Sequence, residues 1–270
     1  MSDARYIAKG FDVGAVDYIT KPFKAAEVKA RVQTHMSLKK MKEALNRQNL
    51  MLEEQVRNKT AQLHEMFTAT VGGMALMAES RDPYTAGHQH RVAEYACIIG
   101  KSMGLQPDQI EAIKISGLLH DIGKIRTPVS LLNRPGKLLK AEWELIKTHP
   151  EIGFKILEQI PFPWPIAQIV YQHHERVDGS GYPRKLKGSG ILLEAKIIAV
   201  ADVMEAMSSH RPYRAALPVE RALNTITSNR GILFDETVVD CFLSCSECIQ
   251  KTTPPASSAG DKDHLPNNRD

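Results

Sequence analysis

The sequence predicts an all-α fold, a helical bundle with one long helix ahead of it, and three observations support this class. Apolar residues of the central region recur mostly at intervals of three and four, with few alternating stretches. The segment from residue 36 to residue 78 favours helix and contains no proline. The apolar fraction, 43%, is that of an ordinary globular protein that can bury a proper core.

Residues 1–35 are expected to form a small α/β unit of a helix, a short strand, a turn and a second helix. The strand is predicted at AVDYIT, and Lys21-Pro22 should interrupt regular structure after it, because proline disfavours helix in the preceding residue. Val28 and Val32 then have helical spacing. A single short strand cannot bury its faces, so we expect this unit to be poorly packed.

Residues 36–78 are predicted to form a linker helix with a narrow apolar seam. The seam follows a heptad and continues after a four-residue shift, and its residues are Leu38, Met41, Leu45, Leu52, Val56, Leu63 and Phe67. Two interpretations are open: a single helix that packs on its own domain, or a coiled coil that dimerises the chain. We favour the coiled coil, and therefore a homodimer, because the polar faces are wide and the seam is narrow.

Residues 79–250 form the main predicted domain, and residues 251–270 form a tail. The tail has almost no apolar residues and is expected to be disordered. The run VVDCFLSCSECI, near the end of the main domain, is predicted to be a helix. Its cysteines Cys241, Cys245 and Cys248 have a spacing known from some iron–sulfur sites, but their helical setting favours ordinary reduced thiols.

The charge and the apolar pattern limit the classes of partner. A net charge of +4 suits an anionic small ligand and is too small to indicate a nucleic-acid surface. No apolar run approaches the roughly 18–20 residues that span a bilayer. The first residues also lack the basic and then apolar order of a secretory signal. We therefore expect a cytoplasmic protein that binds neither nucleic acid nor membranes.

Five histidines and two aspartates occupy inward-facing helix positions or helix ends, and they are the candidate metal ligands. They are His88, His120, Asp121, His149, His173, His174 and Asp202. One such residue alone is more often an ordinary core side chain that has found a hydrogen-bond partner. Seven together would be costly to bury unless a positive ion held them.

Imidazole and carboxylate ligands suit iron, manganese, zinc, nickel or cobalt. Asp121 follows a ligand histidine directly, so it can bridge two metals, and two metals about 3.5–4 Å apart would clamp a phosphate and generate a hydroxide. Lys124, Arg211 and Arg214 offer positive charge for the phosphate oxygens. The sequence thus predicts a centre suited to phosphoester hydrolysis.

The main domain carries five motifs in a fixed order. They are RDPYTAGHQHRVAEYA at 81–96, HDIGK at 120–124, HPEIG at 149–153, HHERVDGSGYP at 173–183 and AVADVMEAMSSHRPYR at 199–214. Together they resemble the HD-GYP subfamily of the HD-domain phosphohydrolases, over a range from about Arg81 to Phe242. An HD pair alone is a weak signal, whereas the complete ordered set is a strong one.

The resemblance implies an all-α HD-domain bundle in which all seven candidate residues are metal ligands, with Asp121 as the bridge and Lys124 beside the scissile phosphate. It also implies a substrate-binding set, namely Lys124, Gly181, Tyr182, Pro183, Arg211 and Arg214. Some members of the subfamily hold a third metal through a glutamate at the position of Tyr84. We therefore expect two divalent metals, with iron or manganese as the first candidates.

The segment GFDVGAVDYITKPFKAAEVKARVQTH, residues 10–35, resembles the last third of a response-regulator receiver domain. The earlier receiver strands, which would carry the phosphate-accepting aspartate, are missing from this sequence. Three explanations are open: Met1 is an internal methionine of a longer protein, the gene was truncated, or the chain was shortened deliberately. In each case we expect no regulation by phosphorylation in this chain, and Lys21 receives no functional role.

The resemblance implies a bacterial phosphodiesterase that hydrolyses cyclic di-GMP to pGpG, GMP or both. One alternative is a hydrolase of another nucleotide, such as a different cyclic dinucleotide or a guanosine alarmone. A second alternative is a non-catalytic module that binds cyclic di-GMP or docks a diguanylate cyclase through the GYP loop. The complete set of ligands argues against this second alternative, because a sensor needs no metal ligands.

Overall fold

The computed structural model describes residues 3–81, 87–134, 136, 138–209 and 216–252. The chain divides into two compact units, residues 1–67 and residues 68–270, which are called the N-terminal unit and the helical unit. Regular structure in the described residues is helical, apart from an isolated bridge between Arg230 and Phe234. The all-α fold class is therefore confirmed.

The N-terminal unit contains α1 (Asp3–Asp12) and most of α2 (Ala25–Glu79). The strand predicted for residues 15–20 is wrong, since these residues form neither strand nor helix. A strand needs a neighbour for its backbone hydrogen bonds, and the described residues of this unit offer no second strand. Asp17 instead accepts a hydrogen bond from Arg31 at 2.9 Å and lies 3.3 Å from Nε2 of His35.

Helix α2 joins two segments that the sequence suggested were separate. The helix predicted from residue 25 and the linker helix predicted for residues 36–78 form one element, without a break between them. The predicted seam is exposed in the single chain, with Leu45 57% and Leu52 49% exposed. From Thr68 onward α2 belongs to the helical unit, where it buries Val71 and Ala75.

Further helices of the helical unit follow α2 along the chain. They are α3 (His88–Ser102), α4 (Pro107–Leu119), α5 (Val129–Leu132), α6 (Lys140–Ile146), α7 (His149–Leu157), α8 (Ile166–Gln172), α9 (Leu193–Ser208), α10 (Val219–Ser228), α11 (Glu236–Ser244) and α12 (Ser246–Thr252). In the described part of this unit, 3-10 helices also cover Ile122–Arg126 and Gly188–Gly190. The helix predicted through the cysteine run is interrupted at Cys245, between α11 and α12, and its cysteines are free thiols.

The core forms where α3, α4 and α9 pack against one another. A Cβ atom at Gly117 of α4 would lie 2.7 Å from Cα of Ala93 on α3, so glycine permits the close approach of these two helices. Helix α9 is apolar on most sides and buries Ile197, Ile198 and Val200 completely. An element that is apolar all round is typical of the interior, and α9 carries the acidic residue Glu205 into the core.

Within the described ranges, no helix has the length and apolar character needed to cross a membrane. The tail predicted for residues 251–270 begins within α12, which ends at Thr252, and the remainder of the tail lies outside the described residues. Tyr84, Arg211 and Arg214 also lie outside the described residues.

Candidate metal centre

The ends of several helices bring the predicted ligands together. His88 and His149 are the first residues of α3 and α7, whereas His120 and His173 directly follow the last residues of α4 and α8. Proline after His149 favours a helix start at that point. All four of these side chains are buried, although histidine is commonly at least partly exposed.

Asp121 lies at the middle of this cluster and is also buried. Its Oδ2 atom is 3.5 Å from Nε2 of His120 and 3.7 Å from Nε2 of His88. Its Oδ1 atom is 3.3 Å from Nε2 of His149. The two oxygens of one carboxylate therefore face different histidines.

The remaining ligands complete two groups, and within each group the ligand atoms lie within 4.8 Å of one another. The His88 group consists of His88, His120 and Asp202, and the His149 group consists of His149, His173 and His174. Asp121 forms a further group of this kind with His120, which belongs to the His88 group, and His173, which belongs to the His149 group. The described residues thus form clusters that could hold a metal ion, and Asp121 lies beside ligands of both groups.

Three histidines are oriented by the backbone of their own helical segments. Each Nδ1 atom lies at hydrogen-bond distance from the carbonyl three residues earlier: His120 to Gly117 at 2.7 Å, His149 to Ile146 at 2.8 Å and His173 to Val170 at 2.6 Å. A carbonyl oxygen only accepts, so Nδ1 carries the proton and Nε2 keeps its lone pair. The Nε2 atoms face the centre, and those of His149 and His173 are 3.3 Å apart.

The electrostatics of the site favour the protonation states that bind metals. Burial lowers the pKa of His149 to about 4 and also lowers the pKa of His120, His173 and His174. Burial alone would raise the pKa of Asp121, but Lys124 and the neighbouring histidines outweigh it and hold that pKa well below its usual range. Neutral imidazoles and an ionised carboxylate are the forms that ligate metals.

One atom of the cluster lacks a protein partner. Nε2 of His120 is buried and has no hydrogen-bond partner. An unsatisfied buried polar atom costs about 1–3 kcal/mol, and a bound cation would remove that cost. The set of imidazole nitrogens and carboxylate oxygens is the one that first-row transition metals prefer. The residues present therefore fit a transition metal.

Lys124 and the predicted GYP loop border this centre. Nζ of Lys124 donates a hydrogen bond to Oδ2 of Asp121 at 2.5 Å. The rings of Tyr182 and His174 are 4.7 Å apart, and Nζ of Lys147 lies 5.7 Å from the Tyr182 ring. Burial raises the pKa of Tyr182, so its phenol is neutral. Two ammonium groups and a neutral aromatic ring suit an anionic ligand that also has an aromatic part.

The loop is held against the histidines by short backbone contacts. A Cβ atom at Gly181 would lie 2.6 Å from the carbonyl oxygen of His174, so a larger residue does not fit there. Pro183 follows Tyr182 through a cis peptide bond. The buried carboxylate of Glu175 accepts hydrogen bonds from the backbone nitrogens of Arg184 and Leu186, at 2.7 and 2.9 Å. Sequence reasoning missed Glu175, although an acid directly after two ligand histidines was a usable signal.

Sequence reasoning also missed Glu205, of which 1% is exposed. Its carboxylate accepts hydrogen bonds from His88 Nδ1, Arg91 and Ser209. Burial alone would raise the pKa of Glu205, but the hydrogen bonds from His88 and Ser209 and the charge of Arg91 lower it. The sequence did contain a usable signal for Glu205, which is a second acid three residues after Asp202 in an apolar helix. A carboxylate in such a helix is buried and therefore needs hydrogen-bond partners.

Curated relatives resemble most of this chain. The cyclic di-GMP phosphodiesterase response regulator RpfG of Xanthomonas campestris pv. campestris is 37% identical over 234 residues, which cover 86% of this chain and 62% of RpfG. A cyclic di-GMP phosphodiesterase of Thermotoga maritima is 34% identical over 256 residues, 92% of this chain and 70% of the relative. A 3′3′-cGAMP-specific phosphodiesterase of Vibrio cholerae is 36% identical over 174 residues, 64% of this chain and 37% of the relative. The chain thus spans less than two thirds of the length of RpfG.

The sequence shows the family, and one solved structure shows a similar fold. A solved structure of an HDG"Y"P protein from Bdellovibrio bacteriovorus superimposes with a TM-score of 0.51 at 18% identity, over 59% of this chain and 51% of that protein, which is a likeness of fold alone. The profile of the HD domain family matches residues 74–238, a range that contains every candidate ligand described above. This chain belongs to the HD domain family.

Proposed function

We propose that the chain is a metal-dependent phosphodiesterase that hydrolyses cyclic di-GMP to pGpG, GMP or both. The observation that carries this proposal is the Asp121 carboxylate, whose two oxygens face ligands of both histidine groups. A carboxylate that faces both groups suits a centre in which two metals hold a phosphoester. The relatives named cyclic di-GMP phosphodiesterases, at 37% and 34% identity, support the choice of substrate.

The proposed cofactors are two divalent transition metals, with iron or manganese as the first candidates. The His88 group with Oδ2 of Asp121 would hold one, and the His149 group with Oδ1 would hold the other. When bound, such a pair supplies a nucleophile from water and neutralises phosphate charge. The hydrogen bonds at Nδ1 orient the imidazoles for this purpose, and burial lowers their pKa and keeps them neutral.

Asp121 and Lys124 are the proposed catalytic residues. The ammonium group of Lys124 lies at the carboxylate that the two metal positions share, and a phosphate oxygen at those positions would come within its reach. Gly181, Tyr182 and Pro183 would border the nucleotide, because the ring of Tyr182 lies 4.7 Å from the ring of the ligand candidate His174. Arg211 and Arg214 are proposed as further phosphate contacts on the strength of the sequence.

A second candidate substrate is a different cyclic dinucleotide. The relative named a 3′3′-cGAMP-specific phosphodiesterase is 36% identical over 174 residues. Relatives named for cyclic di-GMP and for 3′3′-cGAMP are therefore about equally similar to this chain. The metal ligands do not distinguish these substrates, because they would engage the phosphate and not the base. A non-catalytic module that binds the nucleotide remains the other alternative.

The finer assignments extend the same proposal. We place the chain in the HD-GYP subfamily, with residues 1–35 as the remnant of a receiver domain, residues 36–78 as a coiled-coil linker and residues 79–250 as the catalytic domain. We further propose a homodimer through α2, whose seam residues from Leu38 to Leu63 are exposed in the single chain. Docking of a diguanylate cyclase on the GYP loop and a cytoplasmic location stay predictions from the sequence.

The first experiment combines metal content with turnover. The full chain is purified without chelator, its iron and manganese are quantified, and cyclic di-GMP, 3′3′-cGAMP and other nucleotides are incubated with it while the products are separated by chromatography. We expect about two metals per chain and release of pGpG or GMP from cyclic di-GMP. Two metals with turnover of another nucleotide only would move the assignment to that substrate. A folded protein without metal or turnover, even after iron or manganese is supplied, would support the non-catalytic module.

The variant Asp121→Ala tests the proposed bridge in the same assay. We expect it to lose turnover and metal content while the helical signal in circular dichroism is retained, because the shared carboxylate is gone. Asp240→Ala is the control, since Asp240 is an exposed aspartate of α11 that forms an ion pair with Arg230. Full activity of the Asp121 variant would disprove the role of this residue.

A further inference from the structure

His88 differs from the other oriented histidines of the centre in the partner of its Nδ1 atom. His120, His149 and His173 each use a backbone carbonyl three residues earlier. His88 is the first residue of α3, so no turn of its own helix precedes it. Its Nδ1 atom is hydrogen-bonded instead to the carboxylate of Glu205 on α9.

Glu205 is itself held in place from several directions. Nε and Nη2 of Arg91 donate hydrogen bonds to Oε1 of Glu205 at 2.8 and 2.5 Å, and the Ser209 hydroxyl donates to the same oxygen at 2.6 Å. The other oxygen, Oε2, accepts from His88. The arginine compensates the buried negative charge, which would otherwise be costly in the core.

This arrangement fixes the tautomer of His88. A carboxylate only accepts hydrogen bonds, so Nδ1 carries the proton and Nε2 presents its lone pair. Nε2 lies 3.5 Å from Oδ1 of Asp202 and 3.7 Å from Oδ2 of Asp121, and it therefore faces the same position as the rest of the His88 group. A charged acceptor also makes the imidazole a stronger donor to a metal than a neutral carbonyl does.

We propose that Glu205 is a positioning residue that strengthens only one of the two metal positions, the one formed by the His88 group. Among the candidate ligands, the described hydrogen bond of Glu205 is to His88. In the His149 group, by contrast, the Nδ1 atoms of His149 and His173 are hydrogen-bonded to backbone carbonyls. This inference rests on the proposed two-metal centre. It goes beyond that proposal in making the two positions unequal, with the difference set by a residue that touches neither the metal nor the substrate.

The variant Glu205→Gln tests this inference, because it keeps the shape of the side chain and removes its charge. Mn²⁺ is titrated calorimetrically into the metal-free full chain, which gives a separate dissociation constant for each position. We expect one constant to rise by about 10–100-fold and the other to stay as in the wild type. The matched control is Asp235→Asn, which removes a partly buried carboxylate that pairs with Lys196 at 2.9 Å and caps α11. We expect both constants of this control to match the wild type.

The outcomes separate the inference from the proposed function. A wild-type protein that binds no Mn²⁺ would refute the two-metal centre itself. A wild type with two sites, combined with a Glu205→Gln variant in which both constants are unchanged or both rise equally, would refute the selective role of Glu205. A merely structural role would lower the melting temperature without separating the two constants.

A second measurement needs no variant and covers the case in which Glu205→Gln does not fold. Long-range proton–nitrogen NMR correlations of the metal-free wild-type protein report which ring nitrogen of each histidine carries the proton. We expect His88 to be protonated at Nδ1, as His120, His149 and His173 are. A His88 ring protonated at Nε2 would overturn the inference.

Discussion

The buried imidazoles around Asp121 link the stability of the protein to pH. Burial lowers the pKa of His149 from 6.5 to about 4, and the pKa values of His120, His173 and His174 shift in the same direction. Between pH values of about 4 and 6.5 the unfolded chain binds more protons than the folded chain. Stability therefore rises with pH across this window and gains nothing more from these groups above it.

Acidification of the metal-free protein across that window is expected to lower its free energy of unfolding. His149 alone should contribute about 3 kcal/mol, from a shift of roughly two to three pKa units. Denaturant unfolding in the presence of EDTA, followed by circular dichroism at a series of pH values, measures the effect. A free energy of unfolding that is constant over the window would show that these histidines are not neutral and buried. A metal-loaded sample should show a steeper dependence, because protons compete for the ligands.

The residues of the centre differ in how far the sequence could reveal them. His120, His149 and His173 stand where an apolar helical pattern stops or starts, so their position at helix ends could be predicted from periodicity. The pairing of Glu205 with His88 could not be predicted, because it joins two helices that lie far apart in the sequence. A pattern within one segment shows which residues face inward but not which residue of another segment each one meets.

At the scale of the elements, the 3-10 helix Ile122–Arg126 packs closely on the start of α7. A Cβ atom at Gly123 would lie 2.0 Å from the carbonyl oxygen of His149 and 2.6 Å from the backbone nitrogen of Gly153. Both neighbours are backbone atoms, so no side chain can rotate away to make room. This contact holds the segment of Asp121 and Lys124 against the helix that begins with His149.

The substitution Gly123→Ala is therefore expected to destabilise the protein by about 1–3 kcal/mol and to weaken metal binding as well. Gly73→Ala is the matched control, because nothing lies within 4 Å of the Cβ position at Gly73 in α2. Alanine favours helix over glycine, so this control should be neutral or more stable by up to about 1 kcal/mol. Chemical denaturation compares the two variants. Wild-type stability and metal affinity of Gly123→Ala would contradict the packing argument.

The elements also show where local patterns mislead. Residues 15–20 have the composition of a strand, but a strand forms only when another strand pairs with it, and the sequence of the segment alone cannot supply that partner. The boundary near residue 36 separates the receiver-like segment from the predicted linker helix, whereas α2 continues through it.

At the scale of the whole molecule, the seam of α2 bears on the oligomeric state. Leu45 and Leu52 are about half exposed, and they lie on one face of the helix at heptad spacing. Leu50 is exposed to a similar extent, at 66%, but it is two residues from Leu52 and so lies on nearly the opposite face. The chain thus contains a matched pair of leucines, one on the seam and one away from it.

The substitution Leu52→Glu is expected to convert a dimer of the full chain into a monomer, because it places a charge in the apolar contact. Leu50→Glu makes the same chemical change outside the seam and should leave the dimer intact. Size-exclusion chromatography with light scattering gives the mass of each variant. A monomeric wild type, or equal dissociation of both variants, would exclude a dimer through this seam.

The convergence of separate helix ends on Asp121 has a consequence for the lifetime of the folded state. Candidate ligands come from α3, the α4 end, α7, the α8 end and α9, so an ion held by all of them would act as a cross-link among segments remote along the chain. Such a cross-link restricts the opening of the long loops between its anchor points. Removal of the ion by a chelator would then leave the helices in place but let them separate more often, and proteases would cut the loops between them sooner.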